Sequence, residues 1–143
     1  MKKYSYLSVI LLAVLPFMFL PLHTAAAQAK SLKPRLTVLD ENAAASTDIL
    51  KGPPGTVTMR SGYVVLAPGH SVGKHSTKGY EEVVIALKRS GEMRTTNGDT
   101  LKIKPFTLSY CPPMTEHDVV NTGTDMLRYI WLVAKAPLSG NSK

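Results

Sequence analysis

The chain is poor in sulfur chemistry: it carries one cysteine, Cys111, among 143 residues. A single cysteine cannot close an internal disulfide, so the fold cannot depend on one. Cys111 is expected in the core, where a free thiol behaves as a small hydrophobe; the alternative is a free thiol beside a metal. Clustered positive charge is also absent. The formal charge is +7, but Lys33, Arg35, Lys51, Arg60, Lys74, Lys78, Lys88, Arg89, Arg94, Lys102, Lys104, Arg128 and Lys135 are scattered and never interleave with aromatics. A nucleic-acid footprint needs clustering on one face, so nucleic acid is excluded as the expected partner. Beyond Gly55 there is no apolar stripe at helical spacing and no internal repeat, which excludes a bundle or a solenoid. The length leaves room for one domain and not two.

What is present first is a leader. Lys2 and Lys3 precede an apolar run from Leu7 to Leu22, interrupted by Pro16 and Pro21. Small residues follow, and cleavage sites fit after Ala27 or Ala29. The run is short for a tilted span, so residues 1–29 are expected to be a removed signal peptide. No cysteine stands at the end of the run, which argues against a lipid anchor. The expected location is periplasmic or secreted, with no stable membrane anchor after cleavage. About 115 residues then remain, enough for one modest core.

Residues 30–54 read as an extended arm, with Pro34, Ala43-Ala44-Ala45 and the stiff turn Gly52-Pro53-Pro54-Gly55. Such an arm can cover a sheet edge, with Leu36, Val38 and Leu39 supplying the contact. A short helix from Asp40 to Ile49 is a second expectation. From residue 55 to 136 the pattern is one of short strands divided by turn residues. Thr56–Arg60, Tyr63–Ala67, Val83–Leu87, Met93–Thr96, Leu101–Ile103, Thr107–Tyr110, Val119-Val120 and Leu127–Val133 are the predicted strands. Asn97-Gly98 is a strong hairpin signal, and Pro68-Gly69, Pro112-Pro113 and Asn121-Thr122-Gly123 mark further turns. Strands at this spacing predict an all-β barrel or sandwich, followed by a tail over residues 137–143. Tyr63, Tyr80, Tyr110 and Trp131 are expected to line the core or a pocket.

Three histidines stand after the leader: His70, His75 and His117. His75 precedes the adjacent carboxylates Glu81 and Glu82, and His117 follows the Pro-Pro turn. Two imidazoles and a carboxylate converging in an apolar barrel are the ingredients of a divalent-metal site. His70 is expected on a solvent-facing loop, although its flexible Gly69–Gly73 segment leaves a ligand role open.

The stretch Gly69–Gly91 resembles the first motif of the cupins. That motif runs Gly, five residues, His, one, His, three or four, Glu, six, Gly. Here Gly69 leads to His75, Thr77 stands at the second histidine, Glu82 or Glu81 at the glutamate, and Arg89 at the last glycine. The second cupin motif is Gly, five residues, Pro, one, Gly, two, His, three, Asn. Here the same frame holds Phe106, Pro112, Met114, His117 and Asn121. The chain is thus similar to small single-domain bacterial cupins over about residues 55–136.

The resemblance implies a jelly-roll β-barrel binding one metal through His75, Glu82 and His117, with Thr77 where a fourth ligand stands in the family. Strand alternation turns only one of Glu81 and Glu82 inward, and the motif spacing selects Glu82. The implied cofactor is a divalent ion: Fe, Mn, Ni, Cu or Zn. The implied function is an oxygenase- or isomerase-like enzyme acting on a small molecule, with a homodimer as one assembly it can form. The alternative is a non-enzymatic small-ligand-binding cupin with a degenerate metal site. The departures at Thr77, Arg89 and Met114 favour that alternative.

The leader makes the first prediction. Mass spectrometry of protein from the exporting cell should find an N-terminus just after Ala27 or Ala29; an intact Met1 overturns the cleaved signal.

Overall fold

The structure is a computed structural model that describes residues 32–137. The signal peptide expected over 1–29 and residues 138–143 of the tail lie outside the described residues. Among the described residues there is no helix. Nine strands run β1 (Thr47–Lys51), β2 (Arg60–Leu66), β3 (His75–Ser76), β4 (Tyr80–Lys88), β5 (Gly91–Thr95), β6 (Thr100–Ile103), β7 (Leu108–Cys111), β8 (Glu116–Val120) and β9 (Leu127–Lys135).

They form a five-stranded sheet in the order β1-β2-β9-β4-β7 and a four-stranded sheet in the order β3-β8-β5-β6. Every pairing is antiparallel. The order places sequence-distant strands side by side, so most of the sheet is long-range pairing. Alternation then decides what each strand buries. Val84 and Ala86 of β4, Met93 of β5, Ile103 of β6, Val119 of β8 and Leu127 and Tyr129 of β9 face one another across the two sheets as one core. Each such side chain, taken out of water, contributes roughly 1.5–3 kcal/mol. Cys111 belongs to this core, 1% exposed.

Asn97-Gly98 turns β5 into β6, with Gly98 at φ 96°. The predicted strands otherwise correspond to β2 and β4–β9, with ends displaced by a few residues. Two of the expected elements are absent. Thr56–Arg60 is a turn up to Met59, because the backbone N–H groups of Gly55 and Thr56 donate to Gly52 O and the Thr56 hydroxyl donates to Met59 O. Those local bonds take the groups that a sheet ladder would need. The helix expected from Asp40 is also absent. Asn42 N–H donates to Asp40 Oδ1 and Ala43 N–H to Asp40 O. This turn ends the segment before β1, which pairs with β2 instead.

The arm therefore does cover the β2 edge, but through backbone pairing. Leu36 and Val38, expected to make that contact, are 89% and 84% exposed. The arm is held elsewhere by Arg35 donating to Gly55 O and Arg128 donating to Ala43 O, each at 2.8 Å. Tyr110 also departs from expectation. Alternation on β7 turns Ser109 and Cys111 inward and leaves Tyr110 half exposed on the outer face. There its hydroxyl donates to Glu81, and the loss of solvent and that carboxylate raise its pKa.

The motif frame explains a feature of the backbone. Arg89, Phe106 and Met114, which stand at motif glycine positions, all adopt positive φ: 68°, 64° and 63°. The turns have kept the left-handed geometry that glycine serves, while the side chains have changed. A non-glycine residue held there costs about 1–2 kcal/mol. Phe106 is fully exposed, so its ring offsets none of that cost. Phe106→Gly should therefore stabilise the protein by roughly 0.5–1 kcal/mol after the larger entropy loss of glycine, raising Tm by a few degrees in calorimetry. An unchanged or lower Tm contradicts this account.

Candidate metal centre

The two sheets bring three side chains to one point. β3 pairs with β8 so that His75 lies directly opposite His117, with ring centroids 4.6 Å apart. Glu82 comes from the other sheet, near the start of β4, in register with Cys111 of β7 and Val133 of β9. His117 Nε2 lies 3.1 Å and His75 Nε2 4.0 Å from Glu82 Oε2. One ligand atom from each of the three residues falls within 4.8 Å of the others. Glu82 and His117 are buried, and the His75 side chain is 44% exposed.

The tautomers follow from the hydrogen bonds. His75 Nδ1 lies 2.9 Å from Gly73 O, and His117 Nδ1 lies 3.3 Å from Thr115 O. A carbonyl only accepts, so in the neutral ring Nδ1 of His75 carries the proton, and the Cys111 thiol, which donates to Pro112 O and Thr115 O, leaves Nδ1 of His117 to do the same. Each Nε2 then presents a bare lone pair towards Glu82. His117 Nε2 and Glu82 Oε2 are both buried without a hydrogen-bond partner. Such orphaned atoms are rare and costly, and two acceptors facing each other are relieved either by a metal ion between them or, in its absence, by a proton on His117.

The spacing fits the ion. A cation bound at about 2.0–2.2 Å holds neighbouring ligand atoms roughly 3 Å apart and opposite ones roughly 4 Å apart. The observed 3.1 and 4.0 Å fall in that range. Backbone carbonyls holding the outer ring nitrogens are the usual support for ligating histidines. The residue set therefore suits a divalent ion.

The other candidates fall elsewhere. Glu81 points to the outer face, as alternation requires, and accepts from Tyr110. His70 is exposed on its loop, where its backbone bonds to Ala67 and Asn121. The Thr77 hydroxyl donates to Tyr80 O at 2.8 Å and closes a turn. Asn121, fully buried, donates to Leu66 O and Asp125 O and accepts from Gly123 N–H, so it ties two loops together. The Cys111 sulfur lies 3.1 Å from His117 Nδ1, on the side away from Glu82. Burial, and then the Glu82 charge, push its thiol pKa up. Cys111 thus supports the imidazole rather than joining the three facing groups. Its register opposite Glu82 is a tertiary fact that the sequence did not signal.

A cavity of about 370 Å³ opens beside the cluster. His75, Thr77 and Glu82 share its wall with Val64, Tyr80 and Trp131, and Arg60 stands among them. Arg60 was missed as a site residue. Only the observed start of β2 at Arg60 puts Arg60, Gly62, Val64 and Leu66 on one face; the predicted strands, which broke between Arg60 and Tyr63, gave no such signal. Tyr129 also lines the cavity, and burial pushes its phenol well above its usual range.

These observations agree with the comparisons. The Cupin domain family matches residues 62–133. The chain belongs to the cupin domain family. Among solved structures it is similar to a Cupin 2 conserved barrel domain protein from Salinispora arenicola, at 21% identity and TM-score 0.59 over 73% of this chain and 91% of that one. A double-stranded beta-helix domain protein from Klebsiella pneumoniae matches at 14% identity and TM-score 0.59, covering 73% of this cupin and 92% of that chain. A predicted oxalate decarboxylase from Thermotoga maritima matches at 20% identity and TM-score 0.52, covering 69% and 99%. No curated protein matches. At these identities the likeness shows the fold alone.

The electrostatics give a pH prediction. The adjacent Glu82 carboxylate raises the His117 pKa above the ordinary histidine value, against the opposing effect of burial. A raised folded pKa contributes stability that is complete below the unfolded value of about 6.5 and is lost as pH rises through the folded value. In chelator, the wild-type Tm should fall as pH rises through and above that range, and His117→Gln should remove this limb. An identical pH profile for the two proteins contradicts the pairing.

Proposed function

We propose that this cupin is an exported protein that binds a divalent metal through His75, Glu82 and His117 and acts on a small molecule in the adjoining cavity. The observation that carries the reading is the pair of buried, unpartnered atoms, His117 Nε2 and Glu82 Oε2, with His75 Nε2 turned to the same point. Fe, Mn, Ni, Cu and Zn all suit two imidazoles and a carboxylate. When bound, such an ion supplies Lewis acidity and, with open positions, oxygenase- or isomerase-like chemistry. The chain's own contribution is definite. Gly73 O and Thr115 O hold the rings in the ligating tautomer. Glu82 supplies the charge. The apolar wall excludes water from one side of the cluster, and only His75 reaches solvent to any extent.

A second reading has its own observation. Thr77 is committed to Tyr80 O and contributes no ligand atom. A three-ligand site holds an ion less tightly, and this favours a small-ligand-binding cupin without turnover.

Elemental analysis of protein purified without chelator or histidine tag separates the readings. Near-stoichiometric metal is expected in the wild type. It should fall by at least tenfold in His75→Ala, His117→Ala and Glu82→Gln, as expected for lost ligands. Glu81→Gln should retain it. A wild-type protein that holds no metal and cannot be reloaded overturns the metal site.

A further inference from the structure

Arg60 is the one arginine or lysine that lines the cavity. It opens β2 in register with Val133 of β9, and Val133 is in turn in register with Glu82 of β4. Arg60 and Glu82 therefore occupy one row, two strands apart, with both side chains on the inner face. At about 4.8 Å per strand their backbones are roughly 10 Å apart. Among the described residues no carboxylate pairs with the Arg60 guanidinium. Arg60 is exposed at the rim of this largely apolar cavity, its stem lying against Gly52, and a guanidinium without a counter-ion there is available for a charge-assisted pair with an anion.

Two glycines hold this arrangement. A Cβ at Gly52 would come within 3.0 Å of Arg60 Nε, so the arm backbone serves as the surface on which the arginine stem lies. A Cβ at Gly62 would come within 2.5 Å of Trp131 Nε1, so the indole occupies the space over Gly62 and forms the wall between the row and the core. The wall then continues through Tyr80, Val64 and Val72.

We infer that the cavity binds a small organic acid with an apolar body. Its carboxylate meets Arg60 in the bidentate geometry that guanidinium favours. Its body packs against Trp131 and the valines. A second oxygen-bearing group faces His75 and Glu82. A phosphate ester fits less well, because its two charges would meet a single guanidinium. The volume, about 370 Å³, suits a compact molecule. The carboxylate half of this inference stands on Arg60 alone; the second half rests on the metal reading above.

The test uses calorimetry with three probes: hydrocinnamate, its neutral amide hydrocinnamamide, and phenyllactate. Trp131 is the single tryptophan, so its emission reports binding at this wall. In metal-free protein, hydrocinnamate should bind roughly tenfold or more tightly than the amide, as expected for a charge-assisted pair. Arg60→Gln should abolish that preference, and Arg60→Lys should keep part of it; circular dichroism checks that both variants fold. Equal affinity for acid and amide, an acid preference that persists in Arg60→Gln, or no binding by either probe overturns the carboxylate site. Loading with zinc should then strengthen phenyllactate over hydrocinnamate, and Glu82→Gln should erase the gain. If zinc adds nothing while the Arg60 preference holds, the metal-facing half fails and the carboxylate site stands.

Discussion

His117 Nε2 and Glu82 Oε2 meet 3.1 Å apart, out of solvent, each without a partner. Buried polar atoms are normally satisfied, because desolvation without a hydrogen bond costs kilocalories. The barrel does not merely tolerate this opposition. It is built so that neither side can escape. His117 sits mid-strand in β8, with Nδ1 engaged by Thr115 O and the Cys111 sulfur, and Glu82 sits in the central β4, flanked by β7 and β9. Rotating the His117 ring to relieve the opposition would break its Nδ1 contacts.

The same constraint organises the surroundings. Holding Glu82 inward sends Glu81 outward, because strand side chains alternate, and Tyr110 then caps Glu81 on the outer face. Holding β3 against β8 sets His75 opposite His117, and Gly73 and Thr77 close the turns on either side. Across the sheet, the row through Glu82 and Val133 ends at Arg60, so the cavity has a guanidinium and the His75–Glu82–His117 cluster at opposite ends of one register line. The apolar wall between them raises the weight of every charge inside it.

The departures from the cupin motifs divide in two. At Arg89, Phe106 and Met114 the glycine is gone but its left-handed backbone remains, so fold outweighs local preference at these turns. At Thr77 the side chain itself has changed roles, from an expected ligand position to a hydrogen bond within a turn. The first kind of change leaves the barrel intact at a local energetic cost. The second alters what the barrel can hold.

The strands and the hairpin at Asn97-Gly98 were legible in the sequence, because they rest on local turn chemistry and on alternation along single strands; alternation turned only one of Glu81 and Glu82 inward, and the spacing of the cupin motif chose Glu82. Motif spacing likewise singled out His75 and His117. The turn at Asp40, where a helix was expected, and the turn over Thr56–Met59, where a strand was expected, were not legible, because local side-chain and turn hydrogen bonds there outcompete propensity. Nor could the sequence place Cys111 against His117, lay Trp131 over Gly62, or align Arg60 with Glu82. The first depends on how the two sheets pack and the others on cross-strand register between segments up to 73 residues apart, as between Arg60 and Val133, and both exist only once the sheets have formed.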